Sequence, residues 1–314
     1  MDAVIDRAAG CLAGLALGDA MGMPGELWVP ERIRATWGWL QGFHPAPSGH
    51  AIVDGFVAGQ VTDDTQQAFM LAATIRDAAG EVRAADVARE LVAWADRVGA
   101  SEGSFLGPTG SGGDTNGAAM RIAPVGLVRR PGDLDALTDA VTEASVMSHD
   151  TGVAISGACL VAGVVSAAVE GADLAGAIET GIAAARRGRD RGEQTVAASV
   201  PARARLAVEL AGGGTDDETF LRELYDLVGA WVTTTESVPA AVGVLVRGGG
   251  DPVRVTELAA NLGGDTDTIG AMAGAMAGAF AGLGAIPTAT LDVLTSVNDI
   301  DPVAMGTALV GVRR

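Results

Sequence analysis

Apolar residues recur at spacings of three and four along most of this sequence, which is the pattern of α-helices that bury one face. No stretch shows the strict alternation of apolar and polar residues that is typical of a half-buried β-strand. No shift in composition and no internal repeat divides the chain, so we predict one all-α domain over residues 1–314. The predicted helices cover residues 5–21, 30–39, 63–77, 86–98, 133–147, 152–169, 173–187, 194–212, 217–228, 237–247, 252–261, 292–298 and 303–312, with one more after Thr268.

The densest polar cluster lies near the C-terminus, directly before a long run of Ala, Gly and Met, and reads Gly263-Gly264-Asp265-Thr266-Asp267-Thr268. Carboxylate and hydroxyl oxygens are hard donors that suit Mg²⁺, Mn²⁺ or Ca²⁺. Aspartate and threonine before a helix are also ordinary N-cap residues, so this cluster alone is more typical of a cap than of a metal site. A second cluster of the same kind precedes another predicted helix and reads Thr62-Asp63-Asp64-Thr65. The pair of clusters indicates two halves of one site with oxygen ligands.

The charge of the chain excludes several classes of function. The formal net charge is −18, from 39 acidic residues against 21 basic ones, and every basic residue is an arginine. The lack of lysine excludes Schiff-base and lysine-nucleophile chemistry. General binding to nucleic acid or to an anionic membrane needs a cationic surface, so neither is expected. The acidic balance instead suits a protein that concentrates divalent cations.

The apolar stretches predict a protein of the cytoplasm. Cys11 and Cys159 each lie within an apolar run, as expected of small buried side chains in a reducing compartment. The apolar N-terminal stretch follows Asp2 and Asp6, whereas a signal peptide needs positive charge there. Residues 152–169 and 269–286 are long enough to span a membrane, but they are rich in Ala and Gly and adjoin acidic motifs. We predict that both are buried core helices.

The segments between the helices contain other polar residues of interest. Residues 102–117 are rich in glycine and precede a helix, which suits either a phosphate cradle or a flexible linker. Neither the Walker nor the Rossmann pattern is present. His44 and His50 lie in the long segment 27–60 without metal-ligand spacing, and we predict that both are on the surface. Glu26 follows a Pro-Gly turn and, on its own, is typical of a solvated loop.

The order of the motifs carries more information than any one of them. This sequence resembles the ADP-ribosylglycohydrolase family, which includes the dinitrogenase reductase-activating glycohydrolase and the ADP-ribosyl-acceptor hydrolases. The resemblance spans nearly the whole chain and implies an all-α, orthogonal helix bundle with two Mg²⁺ or Mn²⁺ ions at the mouth of a cleft. The motifs that carry the resemblance are Gly18-Asp19-Ala20-Met21-Gly22 with Glu26, Thr62-Asp63-Asp64-Thr65, Asn116-Gly117-Ala118-Ala119-Met120-Arg121, Ser148-His149 and Gly263-Gly264-Asp265-Thr266-Asp267-Thr268.

The resemblance also implies roles for individual residues. Two divalent cations would be held by the metal ligands Thr62, Asp63, Asp64, Asp265, Asp267 and Thr268. The substrate would contact Gly112, Gly113, Asp114, Asn116, Gly117 and His149. The carboxylates that would orient water or carry a proton during attack on the anomeric carbon are Glu26, Asp63 and Asp64. The expected partner is an ADP-ribosylated protein or an ADP-ribosyl or ribosyl small molecule.

One departure from the family pattern keeps the substrate open. The loop reads Gly113-Asp114-Thr115-Asn116-Gly117, whereas many members have Gly or Ser, one residue, and then Gly-Asn-Gly. Asp114 places negative charge where a diphosphate would lie, so a smaller N- or O-ribosyl substrate is the alternative. A metal-free two-carboxylate glycosidase and a non-catalytic, ADP-ribose-binding or crystallin-like protein are the other readings. The candidates for stacking on adenine are Phe105, Trp28 and Tyr225.

Overall fold

A computed structural model of the protein describes residues 2–99 and 113–314. These residues form helices and irregular connections without any β-strand, apart from three isolated bridges between single residues. The all-α prediction is therefore confirmed. The helices are α1 (Ala3–Gly22), α2 (Pro30–Trp37), α3 (Asp63–Asp77), α4 (Ala84–Val98), α5 (Gly117–Met120), α6 (Ala123–Val128), α7 (Leu134–Ser145), α8 (Gly152–Val169), α9 (Leu174–Gly188), α10 (Val200–Ala211), α11 (Asp217–Leu227), α12 (Thr234–Arg247), α13 (Pro252–Ala260), α14 (Thr266–Ala281), α15 (Thr288–Asn298) and α16 (Pro302–Gly311).

Side-chain caps explain why most helix starts agree with the prediction. The Thr151 hydroxyl accepts a hydrogen bond from the backbone N–H of Ala154 (3.2 Å), so α8 begins where the sequence indicates. The predicted start at residue 194 is wrong, because α10 begins only at Val200. Ser199 caps this helix and Pro201 lies in its first turn, where the missing N–H costs nothing. The apolar Val196, which extended the predicted pattern, is fully exposed.

Helices α1 and α14 pack antiparallel with their backbones in direct contact. Glycines recur every four residues on both facing surfaces. A Cβ atom added to Gly14 would lie 2.2 Å from the carbonyl oxygen of Gly274, and one added to Gly18 would lie 1.8 Å from that of Gly270. Only glycine permits this approach. The contact places the end of α1, which carries Asp19, beside the start of α14.

Helix α8 lies at the centre of the fold. It is the helix in residues 2–99 and 113–314 that is long and apolar enough to cross a membrane, yet every residue of it is buried by other parts of the chain. The prediction of a core helix at this position is confirmed. Residues 269–286, the other stretch considered as a span, form most of α14, which is buried up to Ala279, and the short turn that follows it.

The segment between α1 and α3 is held together by aromatic stacking. The Trp28 ring stacks on Trp37 (5.6 Å between centroids) and on His50 (5.5 Å), and the Arg32 guanidinium lies 3.5 Å from its centroid. The predicted surface position of His50 is wrong: the residue is buried, since its ring packs on Trp28 and one ring nitrogen lies 3.1 Å from the carbonyl oxygen of Glu26.

Two of the three candidates for stacking on adenine are now placed. Trp28 is only 8% exposed and its ring is covered by its neighbours, so it offers no face to a ligand. Tyr225 lies on α11 and packs against the main hydrophobic cluster. Phe105 lies outside the described residues.

Candidate active site

A cavity of about 260 Å³ opens where the starts of α3, α5 and α14 meet. Five of the side chains that line it are carboxylic acids. Most of the residues singled out from the sequence come together here, although the two aspartate clusters lie about two hundred positions apart. The predicted residues that line it are Glu26, Asp63, Asp64, Asn116, Gly117, His149, Asp265, Asp267 and Thr268.

The first aspartate cluster is anchored from α1. Asp19 is fully buried, and its carboxylate accepts hydrogen bonds from the backbone N–H groups of Thr62 (3.0 Å) and Thr65 (3.0 Å) and from the Thr65 hydroxyl (2.5 Å). A carboxylate at the start of α3 satisfies free N–H groups and interacts favourably with the helix dipole. Asp19 thereby orients Asp63 and Asp64 toward the cavity. Its presence inside an apolar helix was the signal in the sequence, but no role was assigned to it.

The second cluster depends on two glycines in the left-handed region. Gly263 and Gly264 have φ values of 84° and 76°. A Cβ atom on Gly264 would lie 2.1 Å from the carbonyl oxygen of Ala230, so no other residue fits this turn. The turn is held to the 27–28 segment by a hydrogen bond from Leu27 N to Gly264 O (2.7 Å). Asp265, at the N-cap position of α14, and Asp267 and Thr268 in the first turn therefore face the cavity.

The opposite wall comes from the turn before α5. The Asn116 side-chain amide donates to Asp265 Oδ2 (2.5 Å) and to Ser237 Oγ (3.1 Å), which ties this turn to the second cluster. A Cβ atom on Gly117 would lie 2.7 Å from the His149 ring, so the glycine lets the imidazole approach the turn closely. Asn116, Gly117 and His149 thus form one surface.

Some predicted site residues do not line the cavity. Thr62 is buried behind Asp64, and its hydroxyl donates to Asp64 Oδ2 (3.1 Å). Gly113 and Asp114 hold the turn through their backbones, since their carbonyl oxygens accept from Thr151 Oγ1 (2.9 Å) and Thr234 N (2.9 Å) respectively. Gly112 lies outside the described residues.

Five further residues line the cavity that the sequence had not assigned to the site: Gln67, Thr115, Met120, Arg121 and Val232. Gln67 follows Asp63 by one helical turn, and its amide donates to Asp63 Oδ2 (3.0 Å). That spacing was visible in the sequence, but only the fold shows that the turn faces a ligand cavity.

The acidic side chains in the cavity wall, and Asp19 buried nearby, have pKa values above the usual range. Burial, followed by repulsion from Asp265, Asp63 and Asp19, raises the pKa of Glu26 to about 8. Burial also raises the pKa of Asp19 and of Asp265 to about 6, against several hydrogen bonds that lower it. The pKa of Asp267 lies well above its usual range because of burial and the charges of Glu26 and Asp265. Positive charge placed among these groups would relieve the repulsion.

The oxygens themselves show where such charge fits. Asp64 Oδ1 and Asp267 Oδ1 are buried and have no hydrogen-bond partner within the described residues. Buried carboxylate oxygens are rarely left without a partner, and hard oxygens of this kind are ligands for Mg²⁺, Mn²⁺ or Ca²⁺. Among residues 2–99 and 113–314, no group of three or more Asp, Glu, His or Cys side chains is arranged so that it could hold a metal ion by itself. Hydroxyl groups, water or substrate oxygens would therefore have to complete the coordination.

The raised pKa values predict an unusual pH dependence of stability. In the presence of a chelator, we expect the melting temperature to fall as the pH rises from about 6.5 to 8.5. Folded Glu26, with its pKa of about 8, keeps a proton that the unfolded chain has released, and the stability that this proton gives is lost as the pH passes the folded pKa. His149, whose pKa burial lowers to about 3, is neutral in the folded state but about half protonated in the unfolded chain near pH 6.5, so it opposes the trend only at the lower end of this range.

Differential scanning calorimetry across this pH range would check the prediction. Glu26→Gln should flatten the dependence because the amide does not titrate. Added Mg²⁺ should weaken or reverse it, since cations bind the deprotonated ligands. A melting temperature that rises with pH in the chelator would contradict the assignment.

Comparison with known proteins gives consistent results. The family model for ADP-ribosylglycohydrolases matches residues 1–313. The uncharacterised protein YegU of Escherichia coli K12 is 36% identical over 326 residues, which cover 98% of each chain. ADP-ribosyl-(dinitrogen reductase) glycohydrolase of Rhodospirillum rubrum is 32% identical over 148 residues, which cover 42% of this chain and 48% of that protein. A solved structure described as an ADP-ribosylglycohydrolase-related protein complex is 25% identical with a TM-score of 0.71, and each chain is covered completely.

Proposed function

The chain belongs to the ADP-ribosylglycohydrolase family, as its motifs predicted, and we propose that it is a metal-dependent hydrolase that cleaves the bond between ADP-ribose and an acceptor. One observation carries the proposal: Asp64 and Asp267, from two distant helix starts, line the same cavity, and each has a buried carboxylate oxygen without a hydrogen-bond partner in the described residues. The likeness over residues 1–313 supports one domain that spans the chain.

The donor set of the cavity supports two Mg²⁺ or Mn²⁺ ions. Asp64, Asp267 and Thr268 would hold them together with Asp63 and Asp265, and Thr62 would join through the hydroxyl that now donates to Asp64. Bound divalent ions would supply Lewis acidity and lower the pKa of water toward neutrality. The buried position of these carboxylates explains why they would be selective for small hard cations rather than for organic ones.

The side chains around the ions would perform the proton transfers. In hydrolysis, the oxygen of water forms a bond to the anomeric carbon while the bond from that carbon to the acceptor breaks. Glu26, whose pKa the bound cations would lower, would take the proton released by the water, and the leaving group would receive a proton in turn; Asp63 and Asp64 are the alternative carriers. The remaining carboxylate charge would stabilise the positive charge that develops on the ribose ring.

A smaller ribosyl compound is the second candidate substrate, and the size of the cavity favours it. The volume of about 260 Å³ lies below the roughly 300–1,000 Å³ of pockets that enclose drug-sized ligands, so the described residues would enclose a ribosyl group rather than all of ADP-ribose. One observation favours ADP-ribose instead. Asp114 does not line the cavity, so its negative charge is a weaker argument against binding of a diphosphate there.

Calorimetric titration of ADP-ribose into the metal-loaded protein tests the proposal, with ribose and ribose 5-phosphate as controls. We expect ADP-ribose to bind more tightly than either control, and EDTA to abolish both this binding and the hydrolysis of an ADP-ribosylated protein. Mg²⁺ or Mn²⁺ should restore both. Equal affinity for ribose 5-phosphate and ADP-ribose would favour the smaller substrate. Metal-dependent binding without turnover of any ADP-ribosyl substrate would indicate a binding protein instead.

A further inference from the structure

A chain of hydrogen bonds with Arg121 at its centre crosses the cavity wall. Arg121 is 2% exposed, and its guanidinium donates through Nη1 to Gln67 Oε1 (3.0 Å) and through Nη2 to Ser148 Oγ. On the far side of Ser148, His149 Nδ1 lies 2.9 Å from the Ser148 hydroxyl, and His149 Nε2 lies 2.9 Å from the Thr115 hydroxyl. The chain therefore ends at Thr115, which lines the cavity.

Arginine gives this chain a direction, because a guanidinium can only donate hydrogen bonds. The Ser148 oxygen accepts from Arg121, which leaves the Ser148 hydrogen for its only other partner in the described part of the protein, His149 Nδ1. Ser148 is 4% exposed, so a hydrogen pointing elsewhere would be buried without an acceptor. Nδ1 is therefore an acceptor.

The imidazole passes the direction on to Thr115. With Nδ1 as an acceptor, a neutral ring carries its hydrogen on Nε2 and donates it to Thr115 Oγ1. Burial and the nearby charge of Arg121 lower the pKa of His149 to about 3, which agrees with a neutral ring at physiological pH. Both ring nitrogens are then engaged within the protein, and the imidazole has no N–H left for a ligand.

The Thr115 hydroxyl is left with one hydrogen and no partner for it among residues 2–99 and 113–314. We propose that Thr115 is a ligand-binding residue whose hydroxyl donates a hydrogen bond to an oxygen atom of the ribosyl ligand, and that Arg121 is the positioning residue that sets this direction. The inference rests on the proposed function in one respect, namely that the ligand is a ribosyl compound. Either a ribose hydroxyl or a phosphate oxygen would be a suitable acceptor.

Matched variants of Thr115 test the hydrogen bond. Thr115→Val keeps the branched shape and removes the hydroxyl, whereas Thr115→Ser keeps the hydroxyl. In titrations of the metal-loaded full chain, we expect Thr115→Val to weaken binding about 3- to 10-fold for a neutral oxygen and more than 10-fold for a phosphate oxygen. Thr115→Ser should bind nearly as the wild type does. If Thr115→Val lost affinity for ADP-ribose and ribose 5-phosphate but not for ribose, the acceptor would be a phosphate oxygen.

The direction of the hydrogen bonds can be measured separately, by a property of His149 that a purely structural role of this residue would not fix. Nitrogen-15 NMR distinguishes the two neutral tautomers, and the chain has only 3 histidines, so single variants assign the signals. We expect the Nε2–H tautomer of His149 in the wild type and in Thr115→Val, and a gain of the Nδ1–H tautomer in Ser148→Ala. An Nδ1–H tautomer in the wild type, or unchanged affinity in Thr115→Val, would overturn the inference about Thr115 and leave the proposed function standing. Wild-type protein that binds none of the three ligands would overturn the proposed function and, with it, the ribosyl ligand assigned to Thr115.

Discussion

Asp267→Asn is expected to lower kcat/KM for an ADP-ribosyl substrate by at least about 10³-fold while making the metal-free protein more resistant to heat. A metal ion contributes several kcal/mol to stabilisation of the transition state, and each 1.4 kcal/mol or so is a factor of ten in rate. Asp267 is 3% exposed, and its Oδ1 has no partner in the described structure. Without a cation, the same carboxylate is destabilised by burial and by the charges of Glu26 and Asp265, which an amide would not be.

Steady-state kinetics at saturating Mg²⁺ or Mn²⁺ and calorimetry with and without EDTA measure the two opposite effects. Binding of a cation to the folded state raises the melting temperature of the wild type, and Asp267→Asn should lose much of this rise. Asp226→Asn is the matched control, since Asp226 is exposed on α11 and should change neither quantity. Full activity in Asp267→Asn would remove this residue from the mechanism.

Gly18→Ala is expected to destabilise the protein by about 3 kcal/mol or more, which corresponds to a fall in melting temperature of at least about 6 °C. The added methyl group would lie 1.8 Å from the carbonyl oxygen of Gly270. This oxygen belongs to the backbone of α14 and cannot rotate away, so the two helices would have to separate. Because Asp19 adjoins Gly18 and anchors the start of α3, we expect activity to fall together with stability.

Thermal unfolding of Gly18→Ala and Gly132→Ala compares the same chemical change at two sites. Nothing lies within 4 Å of a Cβ atom built on Gly132, so that variant should melt close to the wild type. If both variants melted alike, the close contact of α1 with α14 would not be a main source of stability.

Much of the fold could be predicted because helix starts are local features. Thr62 and Thr151 cap the helices that they precede, and each threonine and the N–H group that it accepts from lie within four consecutive residues. The two aspartate clusters were recognisable for the same reason. That they face one cavity is a finding of the structure, whereas their binding of two metal ions stays a prediction.

The features that could not be predicted depend on contacts between distant parts of the chain. Asp19 acts on Thr62 from another helix, and its hydrogen bonds exist only once α1 and α3 meet. The direction of hydrogen bonding at Thr115 follows from Arg121 through Ser148 and His149, which lie far from both residues in the sequence. His50 was expected on the surface because nothing in its local sequence shows that Trp28 would cover it.

The pairing of α1 with α14 also has a consequence for the order of events during synthesis. The Thr266 hydroxyl donates to the carbonyl oxygen of Gly22 across a separation of 244 residues, so α1 is synthesised long before the helix on which it packs. At roughly 5–20 residues per second, the delay is about 12 to 50 s. During that time the glycine-lined apolar surface of α1 has no permanent partner and is open to chaperones or to other nascent chains. The two halves of the candidate site consequently join only after α14 has been made, so a nascent chain that lacks this helix has only one half of the site.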